Sequence, residues 1–273
     1  MGNGAATRPL CLVTGAGRGI GAAIARRVSA HGAAVIVAAR SQDDCVEVAN
    51  SIVAAGGRAW PAYVDVTDPE TLDQALVELS DEVAEHGGVA WLVNNAGIAE
   101  TAPFLRHGRG GDGDTYEKHL RVNFHGPRRA IERLAPAMLE RGYGRIVSVA
   151  SSAGLVGYPY AAAYVASKHA LVGYTRCAAL ELEKKGVTMN LVAPHYVDSP
   201  MTDQTVERIV KKTGRSEADT RAFLAAQNPG GALVSVDEVA AVVLELLTGD
   251  ENGAIAEMPG GSAGGRAAVN WRS

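Results

Sequence analysis

The segment PLCLVTGAGRGIGAAIARRVSAHG, residues 9–32, reads as a strand, a glycine-rich turn and a helix. No other stretch constrains the fold as strongly. Leu10 to Val13 are apolar and run into glycine, as a buried strand should. Ile20, Ile24 and Val28 then recur at helical spacing. Gly15, Gly19 and Gly21 permit positive φ and close backbone approach to a pyrophosphate. The helix N-terminus supplies free N–H groups and the positive end of a dipole. The turn therefore offers a dinucleotide phosphate cradle built from Thr14, Gly15, Gly17, Arg18, Gly19, Ile20 and Gly21. Its spacing is Gly-x3-Gly-x-Gly, which differs from the more common Gly-x-Gly-x-x-Gly.

The rest of the chain repeats that alternation. Strand patterns fall near 10–14, 34–39, 59–64, 89–93, 144–149, 187–192 and 254–257. Helical patterns fall near 19–31, 43–55, 69–86, 115–141, 160–185 and 236–248. Strands alternating with helices predict an α/β fold: a Rossmann-type doubly wound parallel sheet of about seven strands, with helices on both faces. No linker or repeat divides the 273 residues, so one domain over 1–273 is expected, with short flexible termini. Ligands in such sheets bind at the carboxyl ends of strands. Thr14, Arg40, Asp65, Asn94, Ser151 and Pro194 all stand just past predicted strand ends.

Composition excludes several classes. The net charge is −4, which gives no surface for nucleic acid or an anionic membrane. Cys11, Cys45 and Cys177 are scattered without metal or disulfide spacing, which fits a reducing cytoplasm. Cys11 reads as a small core residue. No apolar run is long enough to span a bilayer, and no signal pattern opens the chain.

The chemistry lies in SAGLVGYPYAAAYVASKHALVGYTR. Tyr164 and Lys168 are four residues apart and share a helix face, and Ser151 lies thirteen residues before the tyrosine. A free phenol titrates near about 10 and is a poor base at neutrality. A neighbouring ammonium is expected to lower that value. Tyr164 then serves as general acid in ketone reduction or general base in alcohol oxidation. Ser151 is placed to hydrogen-bond the substrate oxygen.

These motifs together resemble the short-chain dehydrogenase/reductase family, in its compact single-domain branch. The matching pieces are TGAGRGIG, DVTD at 65–68, NNAG at 94–97, Asn123 in RVNFHG, Ser151, YVASK at 164–168 and VAPHYVDSPM at 192–201. They occur in the family's order from about Pro9 to Gly261. The resemblance implies a catalytic set of Asn123, Ser151, Tyr164 and Lys168. Asn123 would hold a water near Lys168, and Lys168 would bind the nicotinamide ribose. It also places Asp65, Val66, Asn94 and the Asn95, Ala96 and Gly97 that follow near the adenine half of the cofactor. Pro194, Val197 and Ser199 fall at the nicotinamide end. Homo-oligomers, tetramer or dimer, through the helices at 115–141 and 160–185 are implied as well.

Cofactor choice turns on the end of the second strand. An acidic residue there binds a ribose 2′-hydroxyl, whereas arginine suits a 2′-phosphate. This chain has Ala39, then Arg40 and Ser41, with Arg18 close by in the glycine turn. NADP(H) is therefore favoured, and NAD(H) remains an option.

Two stretches depart from the family pattern. His195 follows Pro194 where glycine is usual, so the loop beside the nicotinamide is expected to differ. His195 and Met201 are candidate substrate contacts beside Ser151 and Tyr164. The run 105–117, LRHGRGGDGDTYE, is long and glycine-rich and reads as a mobile loop. Residues 200–228 read as a helical lid whose apolar residues cover substrate or pack inward. The following QNPGGALVSVDEVA resembles reductases of 3-oxoacyl thioesters and cyclic or polyketide ketones. Arg141, Lys184 and Lys185 lie near where acyl-carrier-protein reductases keep docking cations. The expected substrate is accordingly a ketone, secondary alcohol or acyl thioester. A secondary-alcohol or sugar dehydrogenase is the alternative, and a non-catalytic dinucleotide sensor is a remote third.

Overall fold

The computed structural model describes residues 8–106, 114–261 and 267–268. The expected flexible termini and most of the 105–117 loop lie outside the described residues. The strands are β1 (Leu10–Thr14), β2 (Ala34–Ala39), β3 (Arg58–Tyr63), β4 (Val89–Asn94), β5 (Gly144–Val149), β6 (Val187–Pro194), β7 (Ile255–Met258) and β8 (Ala267–Ala268). The helices are α1 (Gly19–Ala30), α2 (Gln42–Ala54), α3 (Pro69–Glu78), α4 (Ser80–Glu85), α5 (Thr115–Leu120), α6 (Gly126–Glu140), α7 (Ala162–Leu182), α8 (Pro200–Thr213), α9 (Glu217–Ala225) and α10 (Val236–Thr248).

The sheet order is β3-β2-β1-β4-β5-β6-β7-β8. β1 through β7 run parallel, and the two-residue β8 pairs antiparallel with β7. The sequence pattern does not predict β8. Chain direction across the sheet reverses between β1 and β4, whose carboxyl ends open the crevice where such folds bind ligands.

Strand residues alternate between two cores, as the pleat requires. Leu10, Leu12, Ile36, Leu92, Ile146 and Met189 face the layer of α6 and α7, where Leu134 and Met138 meet them. Cys11, Val13, Val35, Val37 and Val93 face α1 and α10, against Ile24, Val28, Val243 and Leu247. Each large aliphatic side chain fully buried this way contributes about 1.5–3 kcal/mol. Cys11 is the core residue its sequence context implies.

Two predicted helices are interrupted. The 69–86 pattern breaks at Leu79, and Leu76, Leu79 and Val83 on both sides of the break pack against the core. The 115–141 pattern opens into one π turn, Arg121–His125, ahead of α6. Pro127, near the start of α6, has no N–H to donate, and the wider turn accommodates it. Asn123 sits inside that turn. Residues 200–228 form α8 and α9, joined at left-handed Gly214. Their apolar residues divide: Val206 and Leu224 are buried, while Met201 and Phe223 are exposed.

Candidate active site

The glycine turn closes on itself and on β4. Gly15 has φ +63°, and a Cβ there would stand 2.8 Å from the Ala96 Cα. Gly21 needs no unusual φ; its Cβ would come within 2.2 Å of the Gly15 carbonyl oxygen. A side chain at Gly17 would collide with Asp44 at 2.8 Å. Arg18, the N-cap of α1, makes no side-chain cap, so the first amides of this twelve-residue helix have no side-chain acceptor. Thr14 and Asn95 lock the turn to β4. The Thr14 hydroxyl accepts from Asn95 N at 3.1 Å and Ala96 N at 3.2 Å, and Asn95 Nδ2 donates to the Thr14 and Gly15 carbonyls at 3.0 and 3.1 Å. The sequence places Asn95 in the NNAG motif beside the adenine but does not point to this tethering role.

Other candidates border this crevice. Asp65 and Val66 line a small cavity with Thr14, Gly126 and Arg129. The Asp65 carboxylate is occupied locally, accepting from Thr67 N at 2.9 Å and the Thr67 hydroxyl at 2.8 Å. Asn94 is buried at the end of β4, and its Oδ1 has no partner. Arg40 and Ser41 are exposed just past β2. An uncapped helix start, a cradle that any Cβ would fill and an orphaned amide oxygen fit a phosphate-bearing, hydrogen-bonding ligand such as a dinucleotide.

The catalytic candidates converge on the start of α7. Ser151, just after β5, stands near enough to the Tyr164 hydroxyl to pull its pKa down, and its own oxygen accepts from Ala153 N at 3.1 Å. Lys168 is buried, donates to the Val149 carbonyl at 2.9 Å and places Nζ 5.8 Å from the Tyr164 ring centre. Burial pushes its pKa down to about 8. Asn123 is fully buried. Its Oδ1 accepts from Ile98 N at 2.9 Å, and its Nδ2 donates to Ile98 O at 3.0 Å and to Ser167 Oγ at 2.9 Å. The Ser167 hydroxyl in turn donates to the Tyr164 carbonyl at 2.7 Å. A Cβ on Gly97 would sit 3.3 Å from Asn123 Oδ1 and 3.7 Å from Lys168 Nζ, so glycine keeps this corner open.

The phenol behaves differently from the expectation. Desolvation pushes the Tyr164 pKa up, the Ser151 hydroxyl pulls against it, and nearby Tyr196 and Tyr158 push it up further. Lys168 lies over the ring and faces the Val149 carbonyl, so burial decides the direction. His119 is a further member that the sequence did not point to. It is buried, packs edge-on to Tyr164 with ring centres 6.3 Å apart, and its Nε2 accepts from Glu100 N at 3.0 Å.

The substrate-side candidates divide. Met201 is partly exposed on α8, and Ser199 is its N-cap. Val197 is buried and bridges Val234, so its side chain belongs to the core. His195 is bound to Glu257 through Nε2 at 2.8 Å. Pro194 ends β6. Arg141 is no free docking cation: its guanidinium donates to the carbonyls of Gly87, Val89 and Tyr143. Among the described residues, no three His, Cys, Asp or Glu gather where a metal could bind, and no helix is long and apolar enough to cross a membrane.

Residues 9–209 match the family model for short chain dehydrogenases. This chain belongs to that family. Galactitol 2-dehydrogenase of Agrobacterium fabrum is 32% identical, over 97% of this chain and 98% of the relative. The 3-oxoacyl-(acyl-carrier-protein) reductase FabG of Escherichia coli is 34% identical, over 89% of this chain and 90% of the relative. Among solved structures, a variant of actinorhodin polyketide ketoreductase with NADPH superposes with a TM-score of 0.84 at 31% identity, covering 93% of this chain and 96% of that one. Levodione reductase superposes with a TM-score of 0.82 at 25% identity, covering 92% and 96%. The short-chain dehydrogenase described here is thus an oxidoreductase of ketone and secondary alcohol groups.

Proposed function

We propose that this short-chain dehydrogenase is an NADP(H)-linked reductase of a 3-oxoacyl thioester or a similar ketone. The observation that carries the reading is the junction of Ser151, Tyr164 and Lys168 beside the crevice between β1 and β4. When bound, the nicotinamide cofactor supplies the hydride.

The protein's residues do the rest. Thr14, Gly15, Gly17, Arg18, Gly19, Ile20 and Gly21 hold the pyrophosphate on the amides that open α1. Asp65, Val66, Asn94, Ala96 and Gly97 border the adenine half. Lys168 binds the ribose, Pro194 and Ser199 border the nicotinamide, and Val197, packed into the core, holds the loop between them. The exposed guanidiniums of Arg18 and Arg40, with Ser41 beside them and Ala39 in place of an acid, favour the 2′-phosphate. The Ser151 hydroxyl donates to the substrate oxygen and steadies charge as it develops there. The Tyr164 hydroxyl gives its proton to the same oxygen. A phenol whose pKa burial has raised stays protonated at neutral pH, which suits the reducing direction. Asn123 acts by holding the Ile98 and Ser167 supports of this corner.

Exposed Leu139 and Leu180 on α6 and α7 support association of copies through those long helices. A second reading, oxidation of a secondary alcohol or polyol, is favoured by the likeness to galactitol 2-dehydrogenase over almost the whole chain. The deciding experiment follows NADPH or NADH consumption with acetoacetyl thioesters and cyclic ketones, and cofactor reduction with polyols. Faster turnover of thioesters with NADPH supports the first reading, and turnover confined to polyol oxidation replaces it with the second.

A further inference from the structure

The catalytic serine and tyrosine stand at opposite ends of one loop. Residues 152–161 leave the end of β5, make the 3-10 turn Ser152–Gly154 and enter α7 at Ala162. Much of this loop is exposed, with Val156, Gly157, Pro159 and Tyr160 open to solvent. Its midpoint nevertheless has a side-chain anchor. The Tyr158 hydroxyl lies 2.9 Å from Ser152 Oγ and 3.4 Å from His195 Nδ1. His195 Nε2 lies 2.8 Å from a Glu257 carboxylate oxygen. His195 comes from the end of β6 and Glu257 from its neighbour β7, so the anchor is fixed to two paired strands of the sheet.

Proton placement gives the chain of bonds one direction. A carboxylate only accepts, so Nε2 carries the hydrogen and donates to Glu257. In the neutral ring Nδ1 is then an acceptor, and the Tyr158 hydroxyl donates to it. The Tyr158 oxygen is left to accept, and the Ser152 hydroxyl donates to it. Ser152 is almost fully buried and adjoins Ser151, whose side-chain oxygen caps the same 3-10 turn.

We propose that His195 and Glu257 are positioning residues. Through Tyr158 and Ser152 they fix the turn that aims Ser151 at Tyr164. The inference rests on the catalytic reading above. The histidine touches neither Ser151 nor Tyr164 among the described contacts, so its effect must pass through the loop. Small displacements of a reacting group have large kinetic costs, and a weakened anchor is expected to lower kcat more than it alters binding.

A double-mutant cycle tests this on the full chain with NADPH and whichever ketone turns over fastest. His195→Ala and Tyr158→Phe should each lower kcat about tenfold, the loss of one well-placed hydrogen bond, with KM and NADPH affinity within about twofold of wild type. His195→Asn, which keeps an acceptor near the Nδ1 position, should recover most of that loss. In a Ser151→Ala background, His195→Ala should have no further effect, because the group it aims is gone. Melting temperature separates misfolding from misalignment. Full additivity of the His195 and Ser151 losses overturns the proposal. So does a His195→Ala enzyme with unchanged kcat, or a His195→Asn enzyme no better than the alanine variant. If the Tyr164→Phe enzyme keeps wild-type turnover, the catalytic reading has failed instead, and that outcome is distinguishable from the others.

Discussion

Asn123 grips the backbone of Ile98 from both sides, accepting from its N–H at 2.9 Å and donating to its carbonyl at 3.0 Å. The asparagine lies in the π turn between α5 and α6, and Ile98 follows the strand that carries Asn94. A single buried side chain therefore ties the helical layer to the crevice edge. Asn123→Ala leaves two half-buried Ile98 backbone groups and the buried Ser167 hydroxyl with one partner fewer. A loss of about 2–4 kcal/mol is expected, read as a lower urea midpoint with an unchanged slope. An unchanged midpoint would mean that water replaces the amide without cost.

Lys168 is predicted to weaken the fold that contains it. A free lysine titrates at about 10.5, and burial brings this one to about 8. The folded value is the lower of the two, so the folded state holds fewer protons between them and stability rises with pH across that window. Below pH 8 the full cost of burying the ammonium is present, about 3 kcal/mol. Lys168→Met should therefore melt about 3–8 °C higher at pH 7 while losing activity, and the gap should close as pH climbs from 8 towards 10.5. A variant that melts lower at every pH would show that the bond to the Val149 carbonyl outweighs desolvation.

The glycine turn yields a paired comparison. Gly21→Ala puts a Cβ 2.2 Å from the Gly15 carbonyl, a clash of backbone against backbone that no side-chain rotation relieves. NADPH affinity should fall by at least about tenfold, and stability by at least about 2 kcal/mol. Gly157→Ala meets nothing within 4 Å and should leave both unchanged. Fluorescence titration and thermal melts of the two variants measure the contrast.

Cofactor preference is predicted to depend on the residue after β2. Arg40→Asp removes a guanidinium from the proposed 2′-phosphate site and installs a carboxylate. NADPH affinity should drop about ten- to hundredfold while NADH affinity holds or improves. Equal losses for both cofactors would assign Arg40 to the loop's structure and remove it from phosphate recognition.

The fold was largely legible because its signals are local. Strands such as β1, β2 and β4 announce themselves as short apolar runs, and the turn after β1 carries its own glycines. Ser151, Tyr164 and Lys168 were legible for the same reason, since one loop and one helix fix their spacing. What escaped was long-range or depended on burial. The Glu257 partner of His195 lies 62 residues away on another strand, so the sequence offered the histidine as a substrate contact and not as part of an anchor. Asn95 outdoes its neighbour as a tether only because Thr14 and Gly15 lie opposite. Helical periodicity cannot register one extra residue in a turn, so the π turn at Asn123 was hidden within the 115–141 pattern. The Tyr164 pKa was misjudged in direction because sequence spacing shows that a cation is near without showing how dry the site is.

The account rests on Tyr164 as the proton donor, and its direct measurement is the turnover of Tyr164→Phe against wild type. Both enzymes are to be assayed with NADPH and a panel of acetoacetyl thioesters and cyclic ketones, with NADPH affinity determined in parallel by fluorescence. Removing one hydroxyl should lower kcat by at least about a thousandfold and leave cofactor affinity within about threefold. A phenylalanine enzyme that keeps more than about a tenth of wild-type turnover, on any ketone that the wild type reduces, would contradict it.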